Sequence, residues 1–210
     1  LLLQLAYLPV HVIITSLVIE KMINRREKRV MMAKLNMVIG AFFSDVGVEL
    51  LISMSSYHEN YDKLRSELLI TDNWNKKDFA TGRHKILGEN FEISCTNNNL
   101  HNLKNLKEFL MEKRSFQLSL LQNPNLLEHE SFTDMLWAVF HLTDELIQRK
   151  DTSALSKSDY KHLSIDIERA YTLLITEWLS YMEHLQKNYP YLYSLAVRVN
   201  PFNPDASANI

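Results

Sequence analysis

Glycine is scarce in this chain of 210 residues, which contains only four. Average usage would be near 7%. The four are Gly40, Gly47, Gly82 and Gly88, and no two have the spacing of a Walker A loop or a GxGxxG nucleotide fingerprint. So few glycines also disfavour turn-rich all-β folds, which need residues with positive φ. The composition therefore predicts an all-α fold, mainly a helical bundle.

Cysteine is almost absent, since Cys95 is the only one. A single thiol excludes an intramolecular disulfide, CxxC redox chemistry and a multi-cysteine zinc site. No signature of a nucleophilic cysteine surrounds it, and the chain has no GxSxG elbow. We therefore predict no catalytic residue and no cofactor, and the sequence favours a non-enzymatic role.

An excess of positive charge is also lacking, with 23 basic residues against 25 acidic ones and a net charge of −2. Proteins that bind nucleic acids usually carry a basic surface field. We therefore expect no nucleic-acid partner.

Residues 1–19 form a largely apolar run without Asp, Glu, Lys or Arg. As a helix it would span about 28 Å, close to the roughly 30 Å of the hydrocarbon core of a bilayer. We predict a transmembrane helix over residues 1–20, with a buried core helix or a remnant signal peptide as alternatives. The chain begins at Leu1 rather than Met, so we expect that its natural start is processed, trimmed or missing.

A basic juxtamembrane segment, residues 21–34, follows this run and contains six basic residues and one glutamate. Basic residues beside a span stay in the cytoplasm. We therefore predict a single-pass protein of the inner (cytoplasmic) membrane with its C-terminal domain in the cytoplasm. The residues predicted to contact the membrane surface are Arg25, Arg26, Lys28 and Arg29. A nucleic-acid patch is the alternative, but the segment lacks the interleaved aromatic residues typical of one.

A second apolar run covers residues 35–54 but contains Asp45 and Glu49. Two acids near the middle of a span would offset much of its insertion free energy, so we favour a largely buried or membrane-surface helix. At 100° per residue, Gly40, Ser44 and Gly47 cluster on one flank, where small side chains permit close helix packing. This flank could pack within the domain or against a second copy.

The rest of the chain predicts a helical cytoplasmic domain over residues 35–200 and an irregular tail over 201–210. Apolar residues recur at helical spacing in 100–121, 131–150 and 159–188, with Ser131 as a candidate N-cap. Alternation of apolar and polar residues within 86–95 is the one strand-like signal. We expect at most a minor extended segment near 89–95.

Histidines and carboxylates near the two strongest helices suggest a metal site. His129 precedes one helix, and Asp134, His141 and Glu145 share a stripe on it. Asp166, Glu177 and His184 share a stripe on the next helix, and imidazole and carboxylate together suit first-row metals. The chain has no HExxH motif, and charged stripes opposite apolar faces are more commonly solvated surfaces, helix caps and hydrogen-bonding groups.

Three segments resemble a family of bacterial and archaeal membrane-anchored proteins with no known activity. They are LNMVIGAFF (35–43), NPNLLEHESFTDMLWAVFHLTDEL (123–146) and YPYLYSLAVRVNPF (189–202). The resemblance implies an N-terminal hydrophobic helix, a basic stretch and a helical soluble region. It implies no substrate, cofactor or site residue.

We interpret the sequence as a membrane-anchored interaction or signalling module. Its expected partners are the lipid membrane and a second copy or another membrane protein. One alternative is a metal- or ligand-binding enzyme that uses the histidine and carboxylate cluster between two helices. Another is an accessory subunit of a membrane transport complex, with Asp45 and Glu49 at membrane depth.

Overall fold

The structure is a computed structural model that describes residues 2–88, 91–152 and 154–209, and the side chains of 2–10, 97 and 127 are not described. The chain is all-α, as predicted. Its α-helices are α1 (Leu2–Phe42), α2 (Val48–Ser55), α3 (Tyr61–Glu67), α4 (Lys76–Gly88), α5 (Leu100–Leu121), α6 (Glu130–Gln148), α7 (Lys157–Asn188) and α8 (Pro190–Arg198). A π-helical segment, Phe43–Gly47, joins α1 to α2, and short 3-10 turns precede α5 and α6.

The chain divides into two compact units, Leu1–Val38 and Ile39–Ile210. The first unit is helical from Leu2 onward and contains both the apolar run and the basic segment. All of its side chains from His11 to Val30 are exposed.

In the second unit, α7 carries the central part of the core. The apolar positions predicted for this helix are all buried: Ile167, Tyr171, Leu174, Trp178, Met182 and Leu185. Burial of such side chains contributes about 1.5–3 kcal/mol each. Helices α4, α6 and α8 pack against α7, so this face of α7 organises the domain.

The second apolar run lies largely inside the second unit. Eight of the 18 residues from 37 to 54 are buried, including Phe42, Phe43 and Leu50. Asp45 and Glu49 are exposed, and Lys113 of α5 donates to Asp45 Oδ1 over 3.1 Å. This segment is therefore an amphipathic core helix with its two acids on the outer side.

The predicted extended segment is reduced to one antiparallel bridge between His58 and Ile93. Residues 86–88 belong to α4 rather than to a strand, and residues 89 and 90 lie outside the described part of the chain. The described ranges contain no strand, so the prediction of at most a minor extended segment is confirmed.

The start of α6 differs from expectation. Ser131 is not the N-cap of α6, because His129 precedes the first helical residue and its Nδ1 accepts the N–H of Phe132 over 3.3 Å. The tyrosine-rich segment after Pro190 forms helix α8. The following turns are irregular, but Phe202 is buried and its ring lies 5.2 Å from that of Trp178.

Candidate functional site: the α6–α7 cluster

Two histidines and two carboxylates meet where the second half of α6 faces the first half of α7. Helix α6 supplies His141 and Glu145, and α7 supplies His162 and Asp166. Each pair is four residues apart, so both members lie on one face of their helix. These four residues are called the α6–α7 cluster below.

The distances within the α6–α7 cluster bring unlike groups together. His141 Nε2 lies 3.5 Å from Asp166 Oδ1, and His162 Nδ1 lies 3.4 Å from Asp166 Oδ2. His162 Nδ1 is also 3.7 Å from Glu145 Oε2. One ligand atom from each of Glu145, His162 and Asp166 can be chosen so that all lie within 4.8 Å of one another.

The carboxylate of Asp166 is buried, whereas the two histidines of the α6–α7 cluster are about half exposed. The Asp166 side chain is only 3% exposed, whereas those of His141 and His162 are 47% and 51% exposed. No donor among the described residues forms a hydrogen bond with Asp166 Oδ2. The cluster thus has a buried carboxylate at its base and imidazole rings at a solvent-facing rim.

Arg149 supports Glu145 from the end of α6. Its guanidinium donates to the Glu145 carboxylate and, over 2.7 Å, to the Glu145 backbone carbonyl. The hydrogen bond from Arg149 lowers the pKa of Glu145, against an opposing effect of burial. Glu145 is therefore ionised at neutral pH and held in place.

The structure brings together only part of the set predicted from the sequence. His141 and Glu145 belong to the α6–α7 cluster, and Asp134 is exposed on an earlier turn of α6. His129 caps the other end of that helix, 16 residues before Glu145, or about 24 Å along a helix axis. His129 and Glu145 therefore cannot bind the same ion.

Glu177 and His184, from the predicted stripe on α7, lie away from Asp166. Burial raises the pKa of Glu177, while a hydrogen bond with Ser131 and the nearby His129 lower it. The Nδ1 atom of His184 lies 3.1 Å from the side-chain nitrogen of Asn188. Neither residue joins the α6–α7 cluster.

His162 is the cluster member that the sequence analysis missed. The sequence does contain a signal for it. On each of two consecutive helices, a carboxylate follows a histidine by four residues, in HLTDE (141–145) and in HLSID (162–166). In antiparallel helices, such pairs can match histidine to carboxylate across the interface. Comparison of i,i+4 pairs between the two helices would have found the α6–α7 cluster.

Two of the three small residues on the flank of the second apolar run, Gly40 and Gly47, pack within the second unit. A Cβ added at Gly40 would lie 3.4 Å from Tyr181 Oη, and one at Gly47 would lie 2.5 Å from Phe43 Cδ1. Ser44 is exposed and lines an apolar groove of about 320 Å³ between the π-helical segment, α7 and α8. The absence of a side chain at Gly40 and Gly47 therefore allows close packing of aromatic rings inside the domain.

Cys95 is a buried free thiol. Burial raises the pKa of Cys95 to about 11, so the thiol is protonated at neutral pH. The nucleophilic form of cysteine is the thiolate. Cys95 therefore has the character of a packing residue, in line with the absence of a cysteine motif in the sequence.

With this geometry in place, comparison with known proteins gives the family. The family model described as the C-terminal helical domain of uncharacterized protein MJ1433 matches residues 31–198. The chain belongs to this family. Uncharacterized protein MJ1433 of Methanocaldococcus jannaschii is 48% identical over 202 residues, which cover 96% of this chain and 80% of that protein. No solved structure matches.

The MJ1433 match confirms the predicted resemblance to an uncharacterised family with an archaeal member. The region matched by the family model includes both helices of the α6–α7 cluster. It begins at residue 31, within α1 and after the first apolar run. The name of the relative assigns no activity to these helices.

Proposed function

We propose that this protein is a single-pass membrane protein whose N-terminal helix spans the cytoplasmic membrane and whose helical domain acts as an interaction or signalling module in the cytoplasm. Within the described helical stretch His11–Ser55, the apolar 18-residue segment of membrane length is 44% buried. Residues 11–34 include no buried side chain, so that segment lies in the second apolar run, most of which belongs to the core of the second unit. The proposed span is the other run, residues 1–20, whose first 19 residues contain no Asp, Glu, Lys or Arg.

The observation that carries this proposal is the exposed apolar surface of α1. The large apolar side chains there are each 50–65% exposed: Val12, Ile13, Ile14, Leu17, Val18, Ile19, Met22 and Ile23. Soluble monomers rarely expose a contiguous apolar surface of this kind, and such surfaces mark contacts with membranes or proteins. A bilayer would cover all sides of the helix at once.

The exposed basic residues that follow support the proposed orientation. Arg25, Arg26, Lys28 and Arg29 lie directly after the apolar surface. Each basic residue near an anionic membrane surface contributes about 1 kcal/mol of attraction. The positive-inside rule then puts the second unit in the cytoplasm.

Membrane insertion is tested with the full chain carrying a C-terminal reporter, by carbonate extraction of isolated membranes. We expect the wild type to remain in the membrane pellet. The double variant Ile14→Arg/Leu17→Arg is expected to shift to the soluble fraction, because arginine in the hydrocarbon core disfavours insertion, by up to about 2.5–3.5 kcal/mol per residue at the centre of a span.

The matched control is Leu87→Arg/Met111→Arg, which adds the same charges at exposed apolar positions of the helical domain. This control should extract like the wild type. Release of the wild type by carbonate would contradict the proposal, as would equal extraction of the two double variants.

The interaction role follows from the same exposed surface, which in a bilayer remains available to a second copy or to another membrane protein. A photoactivatable cross-linker at Val18 tests this role in intact membranes. We expect a cross-linked product of defined mass that Leu17→Arg diminishes. Cross-links to lipid alone would leave the protein as an anchored monomer and contradict the interaction role.

A further inference from the structure

The α6–α7 cluster has the composition and spacing of a metal site. We propose that Glu145, His162 and Asp166 bind one divalent first-row transition metal ion, with His141 as a positioning residue for Asp166. Imidazole and carboxylate ligands suit such ions. This site is independent of the proposed membrane anchor.

The buried carboxylate is the strongest argument. Asp166 is 3% exposed, and its Oδ2 atom accepts no hydrogen bond from the described residues. A buried carboxylate without compensation is costly, and buried charges are normally paired or bound to metals. The imidazoles of His141 and His162 lie 3.5 Å and 3.4 Å from its two oxygens, and a carboxylate oxygen of Glu145 lies within 4.8 Å.

The distances fit one ion. Two ligand atoms of a tetrahedral zinc ion lie about 3.3 Å apart, given metal–ligand bonds of roughly 2.0–2.2 Å. His162 Nδ1 lies 3.4 Å from Asp166 Oδ2 and 3.7 Å from Glu145 Oε2. Small rotations of these side chains would bring all three atoms to bonding distance of one ion.

The surroundings supply the outer contacts that metal ligands need. Arg149 donates to Glu145 Oε2, the oxygen that also lies 3.7 Å from His162 Nδ1. His141 Nε2 lies 3.5 Å from Asp166 Oδ1, whereas His162 Nδ1 lies 3.4 Å from Oδ2. Outer partners of this kind orient the ligands. The half-exposed imidazole rings leave the remaining coordination positions open to water or to a small ligand.

The test uses the full chain, purified in detergent with a tag free of histidine and stripped of metal with a chelator. Equilibrium dialysis with Zn²⁺ is expected to give one ion per chain. Mg²⁺ in about a hundredfold excess is expected not to displace it, because Mg²⁺ prefers oxygen ligands and dehydrates reluctantly. Absence of zinc binding by the wild type would overturn the proposal.

Variants separate the ligands from the positioning residue. His162→Ala and Asp166→Asn should each weaken zinc binding by more than about 100-fold, and His141→Ala by about 10- to 100-fold. His101→Ala, at an exposed histidine of α5, should bind like the wild type. Binding that survives both His162→Ala and Asp166→Asn would overturn the site.

Two further readouts guard against misfolding and a purely structural role for His141. Far-UV circular dichroism should show unchanged helicity in every variant, and His162→Ala removes a ring that is already half exposed. Saturated with Co²⁺, His141→Ala should keep the visible spectrum of the wild type, because His141 is not a ligand. A changed spectrum would overturn the assignment of His141 as a positioning residue.

Discussion

At the scale of single residues, Ser156 shows how one side chain secures the longest helix of the second unit. Its hydroxyl accepts the N–H of Asp159 over 3.2 Å, and the Asp159 carboxylate accepts the N–H of Ser156 over 3.0 Å. This capping box satisfies two backbone donors that the helix leaves open. It starts α7 in the register that places His162 and Asp166 opposite α6.

Ser156→Ala should lower the free energy of unfolding by about 1 kcal/mol, the usual effect of losing an N-cap. Urea or thermal unfolding of the full chain, followed by circular dichroism, measures the change. Ser119→Ala, an exposed serine inside α5, is the matched control and should have a smaller effect. Equal effects of the two substitutions would show that the cap does not stabilise α7.

Asp159 makes the contribution of this cap depend on pH. Its hydrogen bonds with the side chain and backbone of Ser156 lower the pKa of Asp159. A carboxylate with a lowered pKa stabilises the folded state above its unfolded pKa, and this contribution is lost as the pH falls through the folded pKa. Wild type should therefore be more stable than Asp159→Asn at pH 7, and the difference should shrink below about pH 4. A difference that is constant from pH 7 to pH 3 would contradict this prediction.

The sequence could identify individual residues only where local chemistry decides their role. The spacing of Trp178 and its neighbours predicts a buried face, because periodicity alone determines which side of α7 is apolar. The partners of Asp166 depend on the register between two helices, which no local pattern specifies. His162 was therefore missed, and four of the seven predicted metal candidates fall outside the α6–α7 cluster: His129, Asp134, Glu177 and His184.

At the scale of elements, the π-helical segment Phe43–Gly47 is the main departure from regular geometry. At a constant 100° per residue, residues 35–54 would form one uniform helix, whereas hydrogen bonds between residues i and i+5 widen this turn. Phe42 and Phe43 are both buried here, and the Phe43 ring stacks on that of Tyr181 at 5.1 Å. Such a segment depends on tertiary packing, which sequence periodicity does not reveal.

Gly47→Ala should destabilise the protein, because the added Cβ would lie 2.5 Å from Phe43 Cδ1 and 3.0 Å from Phe42 Cε1. Both rings are buried and have little room to move, and overpacking of this kind costs about 1–3 kcal/mol. The measurement is the free energy of unfolding of the full chain.

Gly88→Ala is the matched control for this substitution. In the described part of the chain, no atom beyond the adjoining backbone lies within 4 Å of a Cβ added at the end of α4, and alanine favours helix over glycine by up to about 1 kcal/mol. The control should therefore be neutral or stabilising. If Gly47→Ala were as stable as Gly88→Ala, the close packing around the π-helical segment would not constrain the fold.

At the scale of the whole molecule, composition and hydropathy predict the fold class and the two apolar runs, although they do not predict contacts between individual residues. The scarcity of glycine predicts an all-α chain, and the structure confirms it. Two apolar runs of similar length differ because Asp45 and Glu49 make the second one amphipathic, and that run lies in the core of the second unit. The predicted boundaries at residues 20 and 34 fall inside the uninterrupted helix α1. They stay predictions, because the backbone of a helix has the same conformation in lipid and in water.

Orientation across the membrane is the property of the whole molecule that the basic segment should control. Replacement of Arg25, Arg26, Lys28 and Arg29 by glutamine removes most of the positive charge beside the proposed span. We expect a larger fraction of molecules to have the C-terminus outside the cytoplasm, because the bias of lysine and arginine sets topology. A C-terminal alkaline phosphatase fusion, active only outside, and a matched fluorescent fusion, active in the cytoplasm, measure that fraction.

The control replaces four exposed lysines of the helical domain by glutamine: Lys76, Lys77, Lys157 and Lys161. It removes the same charge from positions more than about 20 residues from the span, where basic residues have little influence on topology. Only the juxtamembrane variant should gain phosphatase activity. Equal gains in both variants would show that net charge rather than the basic segment sets orientation, and a wild type with an external C-terminus would reverse the proposed topology.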